Sequence, residues 1–593
     1  MKLKNIYKIG TLALVSVATL CSCNDFLTIY PTDKTVGENF WKTKDQVEQM
    51  VSGAYISMMD YSCQERAIIW GSYRSDEMDK REEYSNTNLD NISAANLMPS
   101  NGYNSWQSFY SVINRCNIIL NHVNDVMESD PQFTQGDCDE VCAEMRALRA
   151  LCYFYLVRAF RDVPYTTQSY ENDEQNMMVA QSTPDSVLNH CIEDLEYAER
   201  YILHTGAYGR GDERNRGYIT RDAVWAILAD IYLWRASMTH SEADYRACVN
   251  YADKVIDSKD EYWRTNYGNA ALATTDKYHL TRGSLAFGDI FVSSDGGNSL
   301  ESILEWQYDG EYNSNKGVEQ YYYREGESDA TSRLMASRIF STVGNASSDF
   351  VYLTTNDYRY WDNVYGVGST TADQFSIRKF ASTSNISYYL TKGTSTVGQN
   401  KVNGIMDFSK YNQNWIVYRL TDVMLMKAEA LVQLASSDDD EETLRSAYNL
   451  VKVINDRSWI APSQRYPTSS TIDSLTIGSY KTKANMELLV LAERERELCF
   501  EGKRWFDLVR YCYRHMDGVN INAKMADQST WPSLNTNMLK LMTRKFESGG
   551  ESVIYKMKNE PWLYFPILLS EIKVNSLLKQ NPVYEEEETI SKN

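Results

Sequence analysis

In ERERELCFEGKRWFDLVR (residues 493–510) acids and bases alternate beside a set of large apolar residues. Glu493, Glu497 and Glu501 are four apart, which places them on one face of a helix. Two readings compete for that face. A carboxylate metal site between helices adds a histidine three residues after a glutamate, and none stands there. Arg494, Arg496, Arg504 and Arg510 lie among the acids, while Leu498, Phe500, Trp505, Phe506 and Leu508 supply an apolar side. The residues therefore favour a packed helix carrying an internal salt-bridge network. Gly502 is expected to bend or end the first segment.

Outward from this stretch, helical periodicity recurs. EVCAEMRALRALCYFYLVRAF (140–160), ITRDAVWAILADIYLWRASM (219–238) and WIVYRLTDVMLMKAEALVQLA (415–435) each read as a helix with small residues on one face. Tyr155 to Ala159 and Tyr232 to Ala236 share one submotif. Each run is followed by a second helical run: Thr183 to Leu203, Glu242 to Ser258 and Ser437 to Arg457. A helix, a connection and an antiparallel partner, repeated, is tetratricopeptide-type logic, because one pair cannot bury its own apolar face. Further helices are expected from Lys44 to Asp60 and from Ser105 to Met127.

Two long regions break the pattern. Residues 61–104 are polar without a sustained period, and 262–412 are rich in Gly, Ser, Thr, Asn and Tyr with short β-like pieces. Stretches of this length usually carry function, so loops on a helical frame are the expected binding face. SSDDDEETL (436–444) lacks the alternating ligands and central glycine of a calcium loop and reads as a helix cap with acids in the first turn. The acidic tail from Glu585 is expected to be disordered.

The chain opens with Lys2, Lys4 and Lys8, an uncharged apolar run from Ile9 to Leu20, and then Cys21-Ser22-Cys23. Twelve residues span roughly 18 Å as a helix, short of the ~30 Å bilayer core. An export signal over 1–22 is the better reading. Leu20 at minus three and Ser22 at minus one make the junction resemble a bacterial lipobox, with Cys23 as the acylated residue. The formal net charge of −20 argues against nucleic acid as a partner. The remaining cysteines show neither a dense framework nor a CxxC pair, so buried thiols are expected. No GxSxG, HExxH, GxxxxGK[ST] or GxGxxG motif occurs, and the six histidines are scattered. Binding is favoured over catalysis, with no cofactor and no metal site.

Several segments together resemble the SusD/RagB family of Bacteroidetes outer-membrane lipoproteins. NFWKTKDQVEQMVSGAY (39–55) is similar to the family's opening helix, and EMRALRALCYFYLVRAFRDVPY (144–165) to its Arg- and aromatic-rich helix. YRLTDVMLMKAEAL (418–431) matches the pattern of Arg, Asp, then Ala-Glu-Ala, and residues 493–510 the Glu-Gly-x-Arg-Trp-Phe-Asp-Leu signature. FPILLSEIKVNSLLKQNPVY (565–584) resembles the closing motif, with Leu568, Ser576 and Val583 replacing a Pro, a Pro and a Gly.

The resemblance implies a mainly α fold: a right-handed scaffold of tetratricopeptide-like helix pairs in one domain from 23 to 593. It also implies lipid anchoring on the outer face of the outer membrane. The implied partner is a SusC-like TonB-dependent barrel that the lipoprotein covers as a hinged lid. The implied cargo is most often an oligosaccharide, sometimes a peptide or another compound; a surface hydrolase on this frame is the remaining alternative.

Candidate ligand residues rest on position and chemistry, since aromatic rings stack on pyranose faces and charged groups hydrogen-bond hydroxyls. In the first irregular region these are Trp70, Tyr73, Arg74 and Asp76; in the second, Tyr321, Tyr322, Tyr323 and Trp361. Core packing after Ala67-Ile68-Ile69 competes for Trp70. Strand-like alternation would bury part of the tyrosine triplet. Trp106 and Trp306 are expected in the core.

Overall fold

A computed structural model of the protein describes residues 40–267, 278–291, 297–322, 332–340, 350–352, 354, 356–365, 375–381, 385–390, 397–402, 412–460 and 475–584. The signal segment, Cys23, Tyr323 and the acidic tail lie outside the described residues.

Local signals start the helices where the sequence places them. Helix α1 (Lys44–Met58) opens on a capping box in which Thr43 and Gln46 satisfy each other's backbone amides. After α2 (Tyr61–Ile68) and α3 (Gln107–Ser129), α4 (Gln135–Phe160) opens on a second box, Thr134 with Asp137. Helix α5 (Pro184–Tyr201) has Thr183 as cap and proline in its first turn. Then follow α6 (Arg221–Thr239), α7 (Glu242–Tyr267), α8 (Leu420–Leu434), α9 (Glu441–Arg457), α10 (Lys483–Leu498) and α11 (Arg504–Arg514). Asp440 caps α9 and Glu441 and Glu442 occupy its first turn, the capping role expected of that acidic run.

Packing is sequential: α1 on α3, α3 on α4, α4 on α5, α5 on α6, α6 on α7, α7 on α8, and α8 on α9 and α10. Such nearest-neighbour stacking of helix pairs is the tetratricopeptide-like scaffold, and the fold is mainly α. Helix α4 is buried almost without interruption from Ala143 to Phe160 because neighbours cover it on both sides. One apolar cluster runs from Trp41 to Tyr584, Trp106 and Trp306 included, and a second fills the space between α8, α9 and α10.

Two expectations need correction. The run 415–435 is not one helix: Trp415–Arg419 is a buried strand, paired antiparallel with Ser302–Trp306, and the helix starts at Leu420. Aromatic and β-branched residues at Trp415, Ile416, Val417 and Tyr418, buried on both faces, favour a strand over the helix their hydropathy also allows. Residues 61–104 are not a loop face either. They form α2, a wide turn over Ile69–Tyr73, a short strand Met78–Lys80 and a helix Thr87–Ser93, with much of 63–78 buried. The wide turn lies so close to the 499–502 turn that a Cβ on Gly71 would sit 1.9 Å from the Gly502 carbonyl oxygen. Gly502 itself has φ +73°, which ends the first charged segment as its residue type implies.

The acids and bases of 493–510 form an internal ion-pair network. Glu497 meets Arg359, Arg419 and Arg457; Glu501 meets Arg419 and Lys379; Glu493 meets Arg359 and Arg496. Arg494 pairs with Asp422 and Asp507, and Arg510 with Glu429 and Asp507. Burial opposes ionisation of Glu497, yet Arg457, Arg419 and Arg359 hold its carboxyl well below the usual range. The described cysteines are unpaired and buried apart from half-buried Cys142, and burial pushes thiols such as Cys63 up to about 12. Among the described residues no His, Cys, Asp and Glu group could hold a metal, and no helix is long and apolar enough to cross a membrane.

Candidate functional site

The two irregular stretches meet. Strand Met78–Lys80 pairs antiparallel with Leu334–Ala336, and the Arg81 amide donates to the Arg333 carbonyl. This junction brings the start of α2, the loop at 84–86 and residues 320–321 and 333 together. At its centre is Glu65. Its Oε1 accepts from the Tyr61 hydroxyl at 2.7 Å and the Tyr321 hydroxyl at 2.5 Å, and its other oxygen pairs with Arg66. Tyr61 and Glu65 face each other because they are four apart on α2, whose N-terminus is capped by Asp60.

Around this carboxylate the polar contacts continue. The Tyr61 hydroxyl also reaches Gln320 at 3.0 Å, and the Tyr103 and Tyr321 hydroxyls are 3.2 Å apart. Asn86 donates to the hydroxyls of Tyr103 and Tyr84 at 3.2 and 3.4 Å. The Arg333 guanidinium lies 5.2 Å from the centre of the Tyr84 ring and 5.3 Å from that of Tyr321. Tyr61, Glu65, Tyr84, Asn86, Gln320 and Arg333 are half-buried, so their edges reach solvent. Burial, then the charge of Glu65, pushes the Tyr321 phenol far up, and burial also raises the phenols of Tyr61 and Tyr103. The phenols therefore stay protonated and act as donors beside a carboxylate acceptor. Beyond Arg66, which also binds the carbonyls of Gly102 and Ser105, the surface opens into a groove of about 670 Å³ with Asp60, Ser62, Ser105, Gln107 and Ser108 on its walls.

Most residues singled out from sequence are elsewhere. Trp70 is fully buried, its Nε1 donating to the Tyr103 carbonyl and its ring stacked on Phe109. Tyr73 is buried and donates to the Leu89 carbonyl. Arg74 binds the carbonyls of Trp562 and Leu563 and lies over Trp505 and Phe565. Asp76 is sealed between Arg504 and Arg544. These four are interior supports and offer no ligand platform: the aromatic rings fill the space under α2, and both charges have internal partners. Tyr322 is buried with its hydroxyl on the Phe500 carbonyl. Trp361 is 8% exposed and meets Tyr360 edge-on, on the short helix whose Arg359 joins the ion-pair network. Of the seven described candidates Tyr321 alone contributes to the cluster, through its hydroxyl; Tyr323 lies outside the described residues. The missed members were Tyr61, Glu65, Tyr84, Asn86, Tyr103, Gln320 and Arg333. The spacing of Tyr61 and Glu65 was a readable signal; nothing in the sequence singles out Asn86 or Arg333.

Comparison with known proteins agrees with this frame. The model of the SusD family matches residues 227–584, and one described as "Starch-binding associating with outer membrane" matches residues 25–233. The chain belongs to the SusD family. It is 25% identical over 561 residues to SusD-like protein P38 of Formosa agariphila, covering 90% of this chain and 96% of that one. Its identity to the starch-binding protein SusD of Bacteroides thetaiotaomicron is also 25%, over 300 residues that cover 47% of this chain and 50% of that protein. Among solved structures, a SusD superfamily protein of Bacteroides thetaiotaomicron matches with TM-score 0.62 and 18% identity, covering 92% of this chain and 99% of that one. NanU of Bacteroides fragilis matches with TM-score 0.58 and 17% identity, covering 93% and 99%. For this SusD-family chain the tyrosine cluster is thus a surface feature on a scaffold shared by its relatives.

Proposed function

We propose that this SusD-family protein is a cell-surface lipoprotein, anchored through Cys23, that captures a glycan and passes it to a SusC-like TonB-dependent barrel without altering it. The observation carrying this reading is the Tyr61–Glu65–Tyr321 cluster. Half-exposed Tyr61 and Tyr84 rings offer apolar faces, while Glu65, Asn86, Gln320 and Arg333 offer charged and amide hydrogen-bonding groups within one patch. A pyranose presents the complementary arrangement, a C–H face for the rings and hydroxyls for the polar rim. Family membership and the family model described as starch-binding support the glycan class. The lipobox and that model's description support the membrane address.

Calorimetric titration of the soluble chain from Asn24 against oligosaccharide and peptide panels tests the reading. Saturable glycan binding, with ligand recovered intact, is the expected result. Tyr61→Ala and Arg333→Ala should each weaken it by about tenfold or more, as truncation of a central contact does. Binding of peptides alone would make the cargo a peptide, and cleaved ligand would make the protein a hydrolase. Glycan binding untouched by both substitutions would place the site away from the cluster.

A further inference from the structure

The groove beyond Arg66 has a chemistry of its own. One wall is α1 and the turn after it, where Gly53, Ser57 and Asp60 recur at helical spacing. The other is the start of α3, where Gln107, Ser111 and Arg115 stand four apart on one face. The two helices pack on each other, and the small residues at 53, 57 and 111 leave the space between them open. A Cβ on Gly53 would meet only Arg115 Nη1 within reach, at 4.0 Å. The volume, about 670 Å³, is that of a small-ligand site. From Gln107 to Arg115 the wall runs about 12 Å at 1.5 Å per residue, longer than a single sugar ring.

Groove and tyrosine cluster share α2. Tyr61 and Glu65 form one stripe of that helix, in the cluster; Ser62 and Arg66 form the next, in the groove. A saccharide chain that stacks on Tyr61 can therefore continue over the start of α2 into the groove. Charge is uneven along that path. At the near end Asp60 accepts the Ser62 amide at 2.8 Å, and Arg66 is committed to Glu65 and to the carbonyls of Gly102 and Ser105. Ser111 gives its hydroxyl to the Gln107 carbonyl at 3.0 Å. Arg115, at the far end, is exposed and has neither ion pair nor hydrogen bond among the described residues. Acids outnumber bases 80 to 60 in this chain, so an arginine with no acid beside it is where an anion gains most.

We propose that the groove extends the cluster's site to a further sugar unit bearing an anionic group, a carboxylate or a sulfate ester, that pairs with Arg115. This deepens the glycan reading given above and rests on it. The unit over Tyr61 is neutral, because Glu65 and Asp60 flank that position. The acid belongs to a unit further along the chain, toward Arg115 and away from both carboxylates.

Calorimetry on the soluble chain from Asn24 compares three sets of probes. These are oligomers of glucuronate and galacturonate, the same oligomers with each carboxyl reduced to a hydroxymethyl group, and the reduced oligomers carrying sulfate esters. The uronates or the sulfated chains should bind about tenfold or more tighter than the reduced ones, as a charge-assisted hydrogen bond predicts. Which of the two gains the preference tells carboxylate from sulfate ester. Arg115→Gln should abolish the preference and leave affinity for the reduced chains unchanged. Gly53→Leu should weaken all three by filling the groove, and added salt should narrow the preference. Equal binding of charged and reduced chains, or a preference that survives Arg115→Gln, would overturn this inference and leave the glycan reading standing. Binding of none of the three sets would overturn it too: the glycan reading survives if other neutral glycans still bind, and falls with it if peptides alone do.

Discussion

Replacing Glu497 by Gln should destabilise the protein by about 3 kcal/mol at neutral pH. The carboxylate is 3% exposed and takes Arg419 at 2.6 Å and Arg457 on one oxygen, and Arg359 at 2.8 Å on the other. Glutamine keeps the shape, removes the charge and turns an amide donor toward a guanidinium. Removing one partner of a buried ion pair costs about 3–5 kcal/mol. The lower end applies because each arginine keeps another acid: Glu501 for Arg419, Glu301 for Arg457, and Glu493 with Asp357 for Arg359. Urea unfolding of the soluble chain, followed by tryptophan fluorescence, measures the difference. The pH dependence follows from sign. The folded-state pKa of Glu497 lies well below its ordinary value, so its contribution is complete above the unfolded value of about 4.3 and is lost as pH falls through the folded one. The gap between parent and variant should therefore be constant from neutral pH to about 5 and shrink on further acidification. A difference under about 1 kcal/mol at neutral pH, or a gap that widens in acid, would refute the network as a source of stability.

Two further predictions concern buried positions. Gly71→Ala puts a methyl group 1.9 Å from the Gly502 carbonyl, a backbone atom that cannot rotate away, so stability should fall by about 3 kcal/mol or more and soluble yield with it. Lys259, buried against the carbonyls of Leu300 and Ser302, is pushed down to about 7 by burial first and by Arg216 next. The burden of its buried charge is complete below that pH and is relieved as pH rises toward the unfolded value of about 10.4. Relative to Lys259→Met, the parent should gain stability across this range, at up to about 1.4 kcal/mol per pH unit; a flat difference in paired unfolding curves would contradict the assignment.

The helical scaffold was legible because its signals are local. Thr43 with Gln46, Thr134 with Asp137, and Thr183 before Pro184 mark three helix starts within a few residues of the expected boundaries. The strand at Trp415–Arg419 was not legible, because a short buried strand next to a buried helix makes one continuous apolar run. The aromatic residues misled for a related reason. Trp70 and Tyr73 have polar edges that suit a sugar, but each satisfies that edge with one backbone carbonyl, Tyr103 and Leu89. Sequence cannot distinguish a tryptophan whose N–H reaches a carbonyl inside the protein from one that waits for a ligand.

The candidate site escaped for another reason: its parts are up to 272 residues apart, as Arg333 and Tyr61 are. What joins them is the turn at 499–502, inside the charged stretch 493–510. The Phe500 carbonyl takes the Tyr322 hydroxyl at 2.6 Å, the Phe500 amide donates to Glu77 at 3.1 Å, and the Gly502 amide donates to Ser72 at 2.9 Å. Residues 72 and 77 continue the α2 arm of the cluster; residue 322 continues the Tyr321 arm. The 499–502 turn therefore clamps both arms to the scaffold from below, through its backbone. This arrangement accounts for a glycine at 502, where φ +73° and the approach of Ala67 leave no room for a side chain. It also separates two demands on the sequence. The turn and its ion pairs hold the two arms together from the inside, while Tyr61, Tyr84, Asn86 and Arg333 stand half-buried at the surface above them. A stretch can then carry the resemblance to a family through its place in the scaffold and still say nothing about what the protein binds.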